Sequence, residues 1–194
     1  MADEDFSSDH ESPQGSSLDL RGSLILADPS LTDPNFERTV LLLTEHDAED
    51  GALGFVLNRP LGKTVSEVLN PDEFSPLSDI PVYLGGPVST GQLTFASFHW
   101  RGEQGLTYET HLSADQAKCQ LAEGFDVRAF VGYAGWTGGQ LEAELTQNAW
   151  ITRTPDDLVF TDAPPSKKLW TSLLSSMGPF YKLLSDMPED PTKN

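Results

Sequence analysis

The sequence predicts an α+β fold whose sheet is mixed but largely antiparallel, or closes partly into a barrel. Three short apolar runs, at residues 23–27, 39–44 and 52–58, follow one another with no helix-length segment between them. Runs that are apolar on both faces are typical of strands covered on both sides. Since parallel neighbours need long crossover connections, this order favours α+β over a regularly alternating α/β architecture.

Four further segments complete the predicted sheet. Residues 81–86 and 129–134 are apolar like the first three runs, whereas residues 106–112 alternate between apolar and polar side chains. Such alternation is typical of an antiparallel strand with one solvent-exposed face. The loop RGEQG predicts a hairpin between this strand and residues 93–100.

Helix starts are marked by three capping boxes. Thr64, Ser113 and Thr137 are each followed, three residues later, by Glu or Gln. In this motif the hydroxyl and the later side chain bond the free backbone N–H groups of the first turn. A last helix near residues 166–177 has a leucine face and ends at the Gly-Pro pair 178–179. Helices are therefore expected to flank the sheet.

One folded domain, residues 18–184, is expected between two tails. Residues 1–17 are acidic and Ser-rich, and residues 185–194 are polar with two prolines. Segments of this composition bury too little apolar surface to offset the entropy lost on ordering, so both tails are predicted to be disordered.

The charge and composition exclude several classes of partner. The formal net charge is −18, and the 12 basic residues are scattered. Because nucleic-acid binding needs clustered Lys and Arg, no direct contact with DNA or RNA is expected. The single cysteine, Cys119, permits no intrachain disulfide and favours a reducing compartment. Without a secretory signal or an apolar run near ~20 residues, the protein is predicted to be cytoplasmic and away from membranes.

A Gly-rich stretch, VGYAGWTGGQLEAEL at residues 131–145, has the strand–corner–helix context of an anion site. It lacks both the lysine of a phosphate loop and the glycine spacing of a dinucleotide site. The stretch therefore predicts a structural corner, at which Gly135 and Gly138 allow the turn. Thr137 is expected to cap the next helix, and Trp136 to pack as an anchor. The histidines lack metal-ligand spacing, so neither a metal nor a cofactor is predicted.

Four longer motifs stand out: DPNFERTVLLLTEH at 33–46, GALGFVLNRPL at 51–61, PVYLGGPV at 81–88, and VGYAGWTGGQLEAEL with NAW at 131–150. In this order and spacing they resemble the YqgE/AlgH family of bacterial proteins. The resemblance implies an α+β fold of unusual topology, with a barrel-like sheet and flanking helices, in a bacterial cytoplasmic protein. Family members are described as transcriptional regulators or as uncharacterised proteins, so the resemblance supplies no catalytic residues.

The ends of these motifs predict a ligand pocket. The polar and aromatic residues there are Asn35, Arg38, His46, Asn58, Arg59, Gly85, Gly86, Tyr133 and Trp136. Binding sites are usually built from loops and strand ends. These residues therefore predict a regulatory protein that binds a small ligand or a protein partner. The same residues suit packing and turns equally well, and this alternative stays open.

Two other functions are also open. An enzyme acting on a small anionic molecule would use His46 for acid–base chemistry, with Arg38 or Arg59 binding the substrate. Neighbouring residues on a strand point to opposite faces, so Asp47 is not expected to orient His46. The third function, a regulator in direct contact with DNA, is disfavoured by the acidic charge.

Overall fold

The protein is described here by a computed structural model that covers residues 19–69, 74–160 and 168–186. Residues 1–17 and 187–194 of the two predicted tails lie outside the described residues. Within the covered ranges, no helix is long and apolar enough to cross a lipid bilayer.

Nine strands and four α-helices form in the described ranges. The strands are β1 (Leu24–Ala27), β2 (Val40–Asp47), β3 (Gly51–Val56), β4 (Pro60–Thr64), β5 (Pro81–Leu84), β6 (Val88–Trp100), β7 (Leu106–Leu112), β8 (Asp126–Trp136) and β9 (Trp150–Arg153). The helices are α1 (Ala114–Ala122), α2 (Gln140–Thr146), α3 (Lys168–Ser176) and α4 (Pro179–Ser185). All seven predicted strands are present, whereas β4, β9 and α4 were not predicted.

The nine strands form one mixed sheet that curls into half a barrel. Its main path runs β4-β5-β8-β3-β2-β1-β9, and β6 joins both β7 and β8. The pairing of β5 with β8 is parallel, and the remaining pairings are antiparallel. The predicted α+β fold with a mixed, largely antiparallel sheet is therefore confirmed.

Strand β8 is the centre of this sheet because it pairs with three others. Its residues 126–133 pair with β6, and residues 129–131 pair with β5 on the opposite side. Beyond them, residues 134–136 pair with β3. One long strand therefore joins the β4–β7 part of the sheet to the β1–β3 part.

Three groups of buried side chains connect the sheet to its helices. The first includes Phe55 and Phe130 of the sheet and Trp170 of α3. The Trp170 indole N–H also donates to the carbonyl of Ala27, at 2.8 Å, which ties α3 to β1. The second group lies beside α2 and the third beside α1. Both faces of the sheet are thus covered, as the apolar strands require.

Two of the predicted capping boxes are present. At the start of α1 the Ser113 hydroxyl accepts the N–H of Gln116, whose side chain accepts the N–H of Ser113 in return. The box at Thr64 begins only a single 3₁₀ turn, Val65–Glu67. The helix predicted after Ser113 is therefore confirmed.

The cap predicted at Thr137 is wrong. Helix α2 begins at Gln140, after Gly139 in the left-handed conformation with φ 73°. The Gly139 N–H donates to the carbonyl of Ala48, in the β2–β3 turn, at 3.0 Å. This tertiary hydrogen bond holds Gly139 outside the helix, so α2 begins two residues later than the capping pattern indicates.

The corner between β8 and α2 needs a glycine at position 138. A Cβ atom added to Gly138 would lie 1.9 Å from the carbonyl oxygen of Glu49. One added to Gly135 would meet only the ring of Tyr133, at 3.3 Å. The structural role predicted for Gly138 therefore has a physical cause, close backbone approach. The same role is not found for Gly135, which lies in β8 and pairs with Leu53 of β3.

We expect Gly138→Ala to lower the free energy of unfolding by at least about 2 kcal/mol, because the backbone at Glu49 must move to admit the methyl group. Gly135→Ala is the matched control, and a small rotation of the Tyr133 ring accommodates it for under about 1 kcal/mol. Urea unfolding of both variants measures the difference. Equal stabilities would contradict this account.

Candidate functional site

The nine residues predicted to form one pocket divide between two places. Three of them line a wide cleft of about 840 Å³, called here the His46 cleft: His46, Tyr133 and Trp136. Five others line two cavities around Arg59: Asn35, Arg38, Asn58, Arg59 and Gly86. These two, of about 470 and 220 Å³, are called the large and small Arg59 cavities. Gly85 lines none of the three.

Both ring nitrogens of His46 are occupied. Its side chain is only 3% exposed, and Nε2 lies 2.8 Å from Oε1 of Glu142 in α2. Nδ1 accepts the backbone N–H of Leu20 at 3.2 Å. A neutral ring that accepts at Nδ1 carries its proton on Nε2, which then donates to Glu142. The arrangement holds two segments together and does not favour His46 as a general base.

As the sequence predicts, Asp47 does not orient His46. Its Oδ1 accepts the backbone N–H groups of Glu49 and Asp50, at 2.8 and 3.0 Å, and so shapes the β2–β3 turn. Glu142, which orients the ring instead, lies 96 positions further along the chain. Sequence spacing gives no signal for a pair so far apart.

The His46 cleft is acidic. Four carboxylates and one arginine line it: Asp19, Arg21, Glu45, Asp47 and Asp50. The guanidinium of Arg21 hydrogen-bonds the Asp19 carboxylate, with Nη2 at 2.6 Å, and lowers the pKa of Asp19 to about 2. Because its one arginine is already paired, the cleft repels small anions and does not suit the predicted anionic substrate.

Trp136 is a buried anchor, as predicted. It is 7% exposed, and its indole N–H donates to Oε2 of Glu144 at 2.9 Å. The indole of Trp150 donates to the same oxygen at 2.7 Å, and Phe36 stacks on Trp136. One carboxylate on α2 therefore fixes two tryptophans. The sequence predicted the anchor but not the role of Glu144.

Arg59 follows β3 and is held by the backbone of the β1–β2 loop. Its two terminal nitrogens donate to the carbonyl of Pro34, each at 3.2 Å, and Nη2 also donates to that of Glu37 at 3.1 Å. Burial lowers the pKa of Arg59, partly offset by the nearby carboxylates of Glu37 and Asp33. Since an arginine starts from a pKa far above neutrality, Arg59 stays charged.

Asn58 fixes the backbone at Arg38. Arg38 has φ 53°, a conformation that residues with side chains rarely adopt. The buried Asn58 amide donates to the carbonyl of Arg38 and accepts the N–H of Val40, both at 2.9 Å. The Arg38 guanidinium carbon lies 5.4 Å from the centre of the Trp170 ring. Asn58 therefore positions Arg38 through the main chain.

The large Arg59 cavity combines two arginines with an apolar wall. Its lining residues are Glu37, Arg38, Asn58, Arg59, Pro60, Leu61, Leu84 and Thr171. They include one carboxylate and no histidine, cysteine or serine. The cavity therefore places guanidinium groups beside an apolar wall, and among its lining side chains only Glu37 and Thr171 belong to residue types that serve as base or nucleophile.

Gly85 and Gly86 are explained by strand packing. A Cβ atom at Gly85 would lie 2.3 Å from the carbonyl oxygen of Gly132, and one at Gly86 would lie 2.2 Å from the carbonyl carbon of Tyr133. The chain after β5 approaches β8 this closely only without side chains. Gly86 in addition lines the small Arg59 cavity.

A metal site is not found among the residues that the structure covers, since no three His, Cys, Asp or Glu side chains are grouped there to hold an ion. Cys119 on α1 is free and exposed.

Sequence comparison places the chain among known relatives. A model of the AlgH-like family matches residues 24–182. The AlgH protein of Pseudomonas aeruginosa is 37% identical over 174 residues, which are 80% of this chain and 88% of that protein. A UPF0301 protein of Chlorobaculum tepidum is 36% identical over 186 residues, covering 89% of this chain and 95% of its own.

Comparison with solved structures also finds an AlgH protein. The solution structure of the Pseudomonas aeruginosa AlgH protein matches with a TM-score of 0.62 at 34% identity, covering 91% of this chain and 98% of that one. A crystal structure of a Corynebacterium diphtheriae protein matches with a TM-score of 0.66 at 21% identity, covering 87% and 92%. At that identity the second likeness concerns the fold alone.

We expect Glu144→Ala to lower the free energy of unfolding by about 2–4 kcal/mol, because two buried indole N–H groups lose their acceptor. Glu144→Gln keeps an acceptor oxygen, so its free energy of unfolding is expected to fall by less than half as much. Chemical denaturation followed by tryptophan fluorescence measures both. A Glu144→Ala variant as stable as Glu144→Gln would show that the indole hydrogen bonds do not stabilise the fold.

Neutral His46 is expected in the Nε2–H tautomer, because Nδ1 accepts the N–H of Leu20. Long-range ¹H–¹⁵N NMR spectra distinguish the protonated from the unprotonated ring nitrogen. A proton on Nδ1 would break this hydrogen bond and refute the assignment.

Proposed function

The chain belongs to the AlgH-like family, and we propose that it is a regulatory protein that binds a small anionic ligand in the large Arg59 cavity. One observation carries the proposal: two arginines line a single cavity of about 470 Å³ in a chain of net charge −18. An anion is repelled by most of such a molecule, so a local pair of guanidinium groups is a selective place for it to bind.

The arginines are pre-organised. Arg59 is fixed by two loop carbonyls, and the backbone of Arg38 is fixed by Asn58. Groups already held in place lose little entropy when a ligand binds, and guanidinium groups form strong hydrogen bonds with carboxylate and phosphate. Partial burial of Arg59 strengthens its attraction for an anion. Glu37, the one carboxylate of the lining, opposes this attraction in part.

A binding role accounts for the geometry better than a catalytic one. The large cavity offers no histidine or cysteine, and the ring nitrogens of His46 are occupied in a different, acidic cleft. The strongly negative charge disfavours direct contact with DNA. The proposed regulation therefore passes through the bound ligand, or through a protein partner that recognises the bound form.

Titration of the full chain with inorganic phosphate in the millimolar range, followed by ¹H–¹⁵N NMR, tests the proposal. We expect amide shifts at Arg38, Arg59 and Thr171, and none at Arg21. Arg38→Gln is expected to weaken phosphate binding about tenfold or more, since a hydrogen bond to a charged group contributes roughly 1.5–3 kcal/mol.

Arg21→Gln is the control for this titration. It removes the same charge from the His46 cleft and is expected to leave phosphate binding unchanged. A thermal unfolding curve shows whether each variant is folded. Equal effects of the two substitutions, or phosphate shifts scattered over the surface, would refute the assigned site.

A further inference from the structure

The two Arg59 cavities lie side by side. Arg59 and Leu84 line both, so these two residues are common to the large and the small cavity. A ligand that occupies both cavities contacts Arg59 with two of its parts. The small cavity therefore restricts the size and chemistry of the ligand more narrowly than the large, anion-binding cavity does.

The small Arg59 cavity has a different chemistry from the large one. Its lining residues are Asn35, Val56, Arg59, Leu84, Gly86, Pro87 and Thr90. They comprise apolar side chains, one amide, one hydroxyl and a single charged group, with no carboxylate. Apolar walls with an amide and a hydroxyl match a group with apolar faces and a polar edge.

The size of the small cavity limits what enters it. Its volume of about 220 Å³ lies below the roughly 300–1,000 Å³ of pockets that enclose a whole drug-sized ligand. The absence of a side chain at Gly86 is enforced by the backbone of Tyr133, so this wall stays smooth. A flat ring fits such a space, and the planar guanidinium of Arg59 is a group that stacks on rings.

We infer that the ligand joins an anionic head to a flat ring with a polar edge, the build of a nucleoside monophosphate. The phosphate lies with Arg38 and Arg59 in the large cavity, and the base lies between Leu84 and Pro87 in the small one. This inference rests on the proposed function and adds the ring to it. A bare phosphate or a short dicarboxylate occupies the large cavity only and leaves the small one empty.

Calorimetric titration of the full chain compares AMP, GMP and UMP with ribose 5-phosphate and adenosine. At least one of the nucleotides is expected to bind about tenfold more tightly than ribose 5-phosphate, which lacks the ring, and than adenosine, which lacks the anion. Arg38→Gln is expected to weaken the binding of the nucleotide and of ribose 5-phosphate by the same factor, because both compounds place a phosphate in the large cavity.

Thr90→Phe tests the small cavity by filling it. Thr90 is exposed at the cavity rim, so the fold is expected to tolerate the larger side chain. The nucleotide is then expected to bind no better than ribose 5-phosphate, whose own affinity is unchanged. Thr107→Phe, at an exposed position of β7, is the matched control and leaves both affinities as they were.

The outcomes separate this inference from the function on which it rests. If ribose 5-phosphate binds in an Arg38-dependent way and none of the three bases increases the affinity, the inference is overturned but the proposed anion site is supported. No Arg38-dependent binding of any phosphate compound overturns both. A nucleotide preference that survives Thr90→Phe places the ring elsewhere and also overturns the inference.

Discussion

Close backbone packing around β8 is the constraint on which the rest of the structure depends. Gly132 in β8 lies so near the chain after β5 that a Cβ atom there would be 2.5 Å from the carbonyl oxygen of Gly86. This contact lies two residues after the end of β5 at Leu84. From that end the Leu84 N–H donates to the carbonyl of Arg59, and the Val56 N–H donates to that of Gly85. The walls of both Arg59 cavities are therefore set by the sheet.

The β1–β2 loop connects the two candidate regions. Phe36 packs between Trp136 and Trp150, beside the His46 cleft, while Arg38 lies over the Trp170 ring. Beside these anchors, the carbonyls of Pro34 and Glu37 accept hydrogen bonds from the guanidinium of Arg59. Aromatic packing at Phe36 and Arg38 holds the part of the loop next to β2 in one arrangement, which favours selective binding on an otherwise irregular segment.

Local patterns were enough to predict most of the sheet, because buried strands here are apolar throughout and β7 alternates. They missed β4, whose five residues carry almost no buried side chain and so show no periodicity. They missed β9 because only Trp150 of its four residues is buried, so the segment lacks the apolar run that identified the equally short β1. For the candidate site, the sequence identified the motif ends that carry polar and aromatic residues. It did not show which of these ends lie together in the fold. That depends on the three-way pairing of β8, which joins segments far apart along the chain.

The glutamates of α2 show how tertiary contacts change the meaning of a motif. In the sequence, Glu142 and Glu144 are negative charges that oppose an anion near the helix start. In the structure both accept hydrogen bonds from buried rings, Glu142 from His46 and Glu144 from two indoles. Their charge therefore stabilises the corner rather than only repelling ligands.

The backbone donors of the same corner are also used. The N–H of Thr137 bonds the Gln140 side chain, that of Gly139 bonds the carbonyl of Ala48, and that of Gln140 bonds the carbonyl of Thr137. A phosphate loop needs these groups free to point at the ligand. The Gly-rich corner does not suit a phosphate because these three donors already hold the fold together. The anion site proposed above is built instead from the guanidinium groups of Arg38 and Arg59, which line the large Arg59 cavity.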